Sequence, residues 1–198
     1  CVSFARTKTD ALCIPFIGDS GNYFNPDQEL DIWLEIGRIL EDPKISKVGQ
    51  NLSFDCTYLF RRYGFAISSC DDTMVAAGIL YPDMSKGLDF LTSIYTNRPY
   101  YKGEGKAWRT LGSTREAFWR YNALDSATCM EIFPKQVEEL KAQDNLETYR
   151  RQVSLIPIST YMQARGMLID IQTKKQAGIE AAEEIKNLTA DLVKVVGH

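Results

Sequence analysis

KVGQNLSFDCTYLFRRY, residues Lys47 to Tyr63, reads as a short apolar strand from Lys47 to Gln50 that turns through Asn51 into an amphipathic helix with Asp55 in its first turn. A carboxylate just past the end of a strand lies where open α/β sheets place their ligands. The helix macrodipole favours an acidic residue in a first turn whatever the protein does. This stretch therefore leaves Asp55 with a structural and a chemical reading, and the choice falls to a second stretch, Tyr121-Asn122-Ala123-Leu124-Asp125.

Downstream of the strand and helix, Gly64 supplies a left-handed stop, and Ala66 to Ser69 reads as another short strand. Asp71-Asp72-Thr73 opens a helix through Leu80 with Asp72 as its cap, and Tyr81-Pro82-Asp83 turns the chain into a short helix from Gly87 to Tyr95. Upstream, Asn25-Pro26-Asp27-Gln28 carries a cap, a proline at the first helical position and a glutamine that can reach back. The helix that follows runs to Glu41, and its apolar residues Leu30, Trp33, Leu34, Gly37 and Leu40 form the stripe expected to pack on a sheet. Before it, Cys1 to Arg6 and Ala11 to Ile17 are β-rich runs split by Thr7-Lys8-Thr9-Asp10, a hairpin pattern.

Beyond Tyr95 the polar segment Thr96 to Arg109 interleaves Arg98, Lys102, Lys106 and Arg109 with Tyr100, Tyr101 and Trp108. A single-strand contact surface and a solvated loop account for that composition equally well. Ser113-Thr114-Arg115-Glu116 has the form of a capping box, and the helix after it is expected to end near Ile132, before Pro134. On it Phe118, Tyr121, Asn122, Asp125 and Cys129 share a face, so a tyrosine and an aspartate four apart point the same way. A charged stretch precedes a further helix with Val153, Ile156, Thr160, Tyr161 and Ala164, expected to kink at Pro157. Thr173 with Gln176 reads as the cap of a last helix.

The totals narrow the chemistry. The 198 residues are 44% hydrophobic and 25% charged, ordinary globular material for one sizeable core and the start of a second domain. No apolar run reaches the ~20 residues of a membrane span, and the first residues lack a signal peptide's pattern. Five scattered cysteines without a C-x-x-C pair indicate buried thiols, neither a disulfide framework nor a zinc site. A net charge of −3 argues against coating nucleic acid by bulk electrostatics, while contact with a few phosphates through metal ions remains open. The single histidine is His198, so chemistry inside the fold must run on carboxylates, tyrosine or metals.

Two aspartates and a tyrosine on separate helices suit two-metal phosphodiester hydrolysis, in which carboxylates hold two divalent ions about 4 Å apart. KVGQNLSFD and YNALD resemble the second and third motifs of the DEDD 3′-5′ exonucleases, in the version with tyrosine four residues before the last aspartate. The likeness is strongest to the proofreading domain of family A DNA polymerases, the bacterial polymerase I kind and its phage relatives. CDDTMVAAGILYP and GLDFL resemble the following helices of that family, and QVSLIPISTYMQARGMLID resembles the passage into the polymerase domain. The resemblance implies an RNase H-like α/β fold, a mixed sheet flanked by helices, with residues 1–145 as exonuclease domain and 146–198 as the first, thumb helices of a polymerase domain. It further implies that Asp55 and Asp125 bind metal, that Tyr121 orients the attacking water, and that Gln50, Asn51 and Phe54 meet the terminal nucleotides. The implied cofactors are two Mg²⁺ or Mn²⁺ ions. The implied partners are the 3′ end of single-stranded DNA, primer-template DNA and, through the polymerase domain, nucleotides, in a bacterial cytoplasm or a phage-encoded protein.

One departure matters. The family's first motif, Asp-x-Glu on the central strand, does not occur here, and neither Asp10 nor Glu29 lies in such a context. The expectation is a fragment that lacks that strand, with little activity of its own and reduced stability. Two alternatives stand beside the leading reading: a stand-alone tyrosine-type exonuclease acting on RNA, and a domain that only grips the primer 3′ strand.

Overall fold

The computed structural model of the chain describes residues 1–99, 101 and 114–197. Strands β1 (Val2–Thr7) and β2 (Asp10–Ile14) form the antiparallel hairpin, with Val2 opposite Ile14 and Phe4 opposite Leu12. Strands β3 (Ile17–Gly18) and β4 (Gly21–Asn22) add a second, minimal hairpin. Helix α1 (Pro26–Glu41) opens on the reciprocal cap, the Asn25 side chain accepting from the Gln28 N–H and the Gln28 side chain from the Asn25 N–H. Its buried face is Ile36, Gly37 and Leu40, whereas Leu30 and Leu34 are exposed, so the expected stripe is corrected. The reason is aromatic: Trp33 stacks between Phe16 and Tyr63 at centroid distances of 4.6 and 4.0 Å. Phe65 lies so close to Gly37 that a Cβ there would sit 2.7 Å from its ring.

Strand β5 (Lys47–Gly49), helix α2 (Leu52–Tyr63) and strand β6 (Cys70–Asp72) make a βαβ unit with β5 and β6 parallel. The strand expected at Ala66 to Ser69 forms three to four residues later, because pairing is set by the partner: Gly49 lies opposite Asp72. Gly64 ends α2 in the left-handed conformation, at φ 79°. Helices α3 (Thr73–Leu80), α4 (Leu88–Tyr95), α5 (Arg115–Ala142), α6 (Leu146–Val153) and α7 (Ile156–Arg165) follow.

The long α5 continues past Pro134, correcting its expected end near Ile132. Pro134 takes the exposed side, while Ile132, Gln136 and Leu140 are wholly buried, and that packing outweighs one missing hydrogen bond. Thr114 is the cap, accepting from the Ala117 N–H, and Ser113 of the expected box lies outside the described residues. Pro157 does not kink a helix; the chain breaks at Ser154 and Leu155, and Pro157 falls in the first turn of α7, where no N–H is needed.

Strands of the described residues pair in three two-stranded pieces, two antiparallel and one parallel. Against them α5 is the spine, touching β1, β2, β5, α3, α4 and α6. The core holds Cys56, Ala76, Leu80, Leu140, Tyr149, Val153 and Ile156 in one cluster and Ala77, Leu91, Tyr95 and Ile132 in another. Of the cysteines, Cys56 and Cys129 are buried but Cys1 is exposed, and none is in a disulfide. Residues 1–164 are one compact unit. It extends past the 145/146 division expected from sequence because Tyr149, Val153 and Ile156 belong to its core.

The second unit comprises residues 165–198. Helix α8 (Ile171–Val196) is capped by Asp170, which accepts from the Gln172 and Thr173 N–H groups, so Thr173 lies inside the first turn and is not the cap. No helix among the described residues is long and apolar enough to cross a membrane.

Candidate active site

The parallel pairing of β5 and β6 brings the carboxyl end of β5, the first turn of α2 and the first turn of α3 to one end of the βαβ unit. Asp72, 1% exposed, organises that end. Its carboxylate accepts from the Met74 and Val75 N–H groups of α3 at 2.7 and 3.2 Å. It also accepts from Asn51 and Leu52 at the start of α2, at 3.1 and 2.6 Å. One side chain thus caps two helices. Asn51 itself is left-handed, φ 59°, a conformation asparagine tolerates, and its side chain caps nothing. Behind Asp72, its own N–H donates to the Tyr149 hydroxyl, which donates to Asp71, both at 2.9 Å.

Asp55 stands one turn into α2, and although the residue as a whole is exposed its carboxyl is pushed up to about 6. Burial of the carboxyl group is the main cause, its own backbone N–H works the other way, and the charge of Asp72 adds to the rise. Among the described residues, none of the groups named as acting on it is a cation. Phe54 beside it is 68% exposed, an apolar ring left on the surface of the same turn. Gln50 is committed inside the chain, its amide donating to the Lys86 carbonyl at 2.7 Å and accepting from the Thr73 hydroxyl at 2.5 Å.

The other candidate residues are on α5. Tyr121 and Asp125 are half-buried one turn apart, and the hairpin packs beside them: the Ser3 hydroxyl donates to the Asn122 carbonyl at 2.9 Å and lies 2.6 Å from the Ser126 hydroxyl. The residue that sequence reasoning passed over is Tyr101. Its hydroxyl donates to Asp125 Oδ1 at 2.9 Å and lies 3.1 Å from the Thr128 hydroxyl, and its ring stands 5.8 Å from that of Tyr121. Burial, and beyond it the Asp125 charge, raises the Tyr101 phenol and keeps it a donor. Its position in an aromatic-basic loop gave no sign of this inward contact. Of that loop, Arg98 pairs with Glu131 and donates to the Lys8 carbonyl, a structural use, while Tyr100, Lys102, Lys106, Trp108 and Arg109 lie outside the described residues.

Asp55 and Asp125 offer carboxylate oxygens, the donors that hard divalent cations take. The uncompensated charge at Asp55 fits such an ion. Among the described residues no group of three or more His, Cys, Asp or Glu side chains comes together to hold a metal, and the two aspartates stand on separate elements. Asp10, paired with Arg6, and Glu29, accepting from the Trp33 indole, stand elsewhere.

The fold is an RNase H-like α/β fold, and the class of protein is a nuclease. Residues 7–141 match the 3′-5′ exonuclease family of the DNA polymerase A type, and the chain belongs to that family. It is 29% identical over 168 residues to DNA polymerase I of Rhizobium leguminosarum, an alignment taking in 81% of this chain and 16% of the relative's length. The fold is shared with the POL domain of Pol1 from M. smegmatis, in complex with DNA primer-template and dNTP, at a TM-score of 0.62 and 18% identity over 92% of this chain and 30% of that one. It is shared also with Escherichia coli RNase D, an exoribonuclease involved in structured RNA processing, at 0.56 and 22% over 69% and 35%. Divalent metal ions are the cofactors such exonucleases generally use.

Proposed function

We propose that this exonuclease acts on the 3′ end of single-stranded DNA and is the proofreading part of a DNA polymerase of the polymerase I type. The observation that carries the reading is the pair Tyr121 and Asp125, one turn apart on α5, within a chain that matches the exonuclease family over residues 7–141. Asp55 and Asp125 hold the metal through carboxylate oxygens. Two ions, Mg²⁺ or Mn²⁺, supply a lowered pKa for the attacking water and charge stabilisation for the leaving 3′ oxygen. The Tyr121 phenol orients that water from one turn away. Exposed Phe54 gives a terminal base a ring to stack on, Asn51 lies beside it in the turn, and Gln50 holds that turn in place from behind. Functionally, residues 1–145 form the exonuclease and residues 146–198 lead into the polymerase domain, a division by descent that packing does not follow. The likeness to the M. smegmatis domain over 92% of the chain supports that continuation.

The test is an assay of the full-length gene product on end-labelled single-stranded DNA and RNA with Mg²⁺, beside Asp125→Ala. Stepwise loss of nucleotides from the DNA 3′ end is expected. The variant should lose about 100-fold to 10,000-fold, the several kcal/mol that metal-held charge contributes. Activity confined to RNA overturns the DNA assignment, and an inert protein that still binds the strand makes the domain a gripping module.

A further inference from the structure

We propose that Tyr101 is a positioning residue for both Tyr121 and Asp125, through its hydroxyl bond to the one and its ring contact with the other. The inference rests on the exonuclease reading above. Tyr101 is 6% exposed, so its ring is held by the body of the protein. Its hydroxyl meets Asp125 Oδ1 at 2.9 Å and Thr128 Oγ1 at 3.1 Å. Thr128 is wholly buried and bonds the Leu124 carbonyl at 2.7 Å, so the far anchor of the phenol is part of α5 itself. The ring, 5.8 Å from that of Tyr121 and inclined at 57°, limits the swing of the second tyrosine.

The consequence is orientation. An aspartate on a helix has several rotamers, and only one turns a given oxygen to a ligand. A neutral donor fixed on Oδ1 selects the rotamer and sets the direction of Oδ2. Outer partners of this type govern ligand geometry as strongly as the ligands do, with losses of about 10-fold to 100-fold when they are removed. Here one residue sets two members of the site at once. The water-orienting phenol and the carboxylate keep their mutual placement because both lean on Tyr101.

The experiment compares Tyr101→Phe with wild type, Asp125→Ala and Tyr95→Phe in the full-length protein. Tyr95 is equally buried and its hydroxyl bonds Glu139 at 2.7 Å, so its replacement controls for the loss of a buried hydroxyl as such. Expected for Tyr101→Phe are a kcat lower by about 10-fold to 100-fold, KM for single-stranded DNA within twofold of wild type, and a weaker Mn²⁺-induced rise in Tm. Tyr95→Phe should lose Tm without losing kcat. The inference is overturned if Tyr101→Phe keeps wild-type kcat and Mn²⁺ response. It is equally overturned if Tyr95→Phe, at a matched fall in Tm, loses as much activity. A wild-type protein without exonuclease activity would sink the reading beneath it instead, while the Mn²⁺ melting arm still reports on Asp125.

Discussion

Asp55 and Asp72 occupy the same kind of place, the first turn or cap of a helix following a parallel strand, and the fold treats them oppositely. Asp72 is buried and spends its charge on four backbone N–H groups of two helices. Asp55 is exposed at the surface, raised to about 6, and opposed by the charge of Asp72 nearby. A buried carboxylate whose two oxygens both accept from backbone N–H groups serves the fold. One raised by burial and by a neighbouring like charge costs stability when it ionises. The contrast teaches that position on a helix does not assign a carboxylate its role; the surrounding donors do.

Breaking the structural member should have the largest effect. Asp72→Ala strips acceptors from α2 and α3 together and should cost about 3–5 kcal/mol, read as a lower denaturant midpoint. A loss under 1 kcal/mol would show that water replaces the carboxylate and that the double cap matters little. A smaller effect is expected behind it: Tyr149→Phe removes the acceptor of the Asp72 N–H and the donor to Asp71, costing about 1–3 kcal/mol. The smallest, and of opposite sign, is Asp55→Asn. The folded protein holds the Asp55 proton up to about pH 6, whereas the unfolded chain releases it near 3.8. Stability therefore falls as pH rises between those values and stays lowered above 6. Asparagine carries no such penalty, so the variant should gain about 1 kcal/mol above pH 6 after allowance for solvent screening, and nothing below pH 4. Melts of both proteins from pH 3.5 to 8 without divalent metal check it; a constant offset across that range would assign the gain to something other than the charge.

The same contrast explains how far the residues could be read in advance. Local rules marked most element ends: the Asn25 and Gln28 cap, the Gly64 stop and Asp72 at the head of α3 involve neighbours along the chain. They failed where a distant partner prevailed. The strand moved from Ala66–Ser69 to Cys70–Asp72 to meet β5, and α5 crossed Pro134 because Ile132, Gln136 and Leu140 are buried on its other side. The apolar stripe of α1 turned away from Leu30 and Leu34 because Trp33 stacks between Phe16 and Tyr63.

By itself the sequence determined the elements whose signals are short-range and the shared face of Tyr121 and Asp125, since helical spacing puts residues four apart on one side. Tertiary structure alone decided that Asp72 is structural, that one carboxylate caps two helices, and that Tyr101 stands behind Tyr121 and Asp125. Hydrogen bonds from Asp72 reach back about twenty residues, and that from Tyr101 to Asp125 spans 24. Contacts of such range depend on how strands pair and helices pack, and no local pattern of residues encodes them.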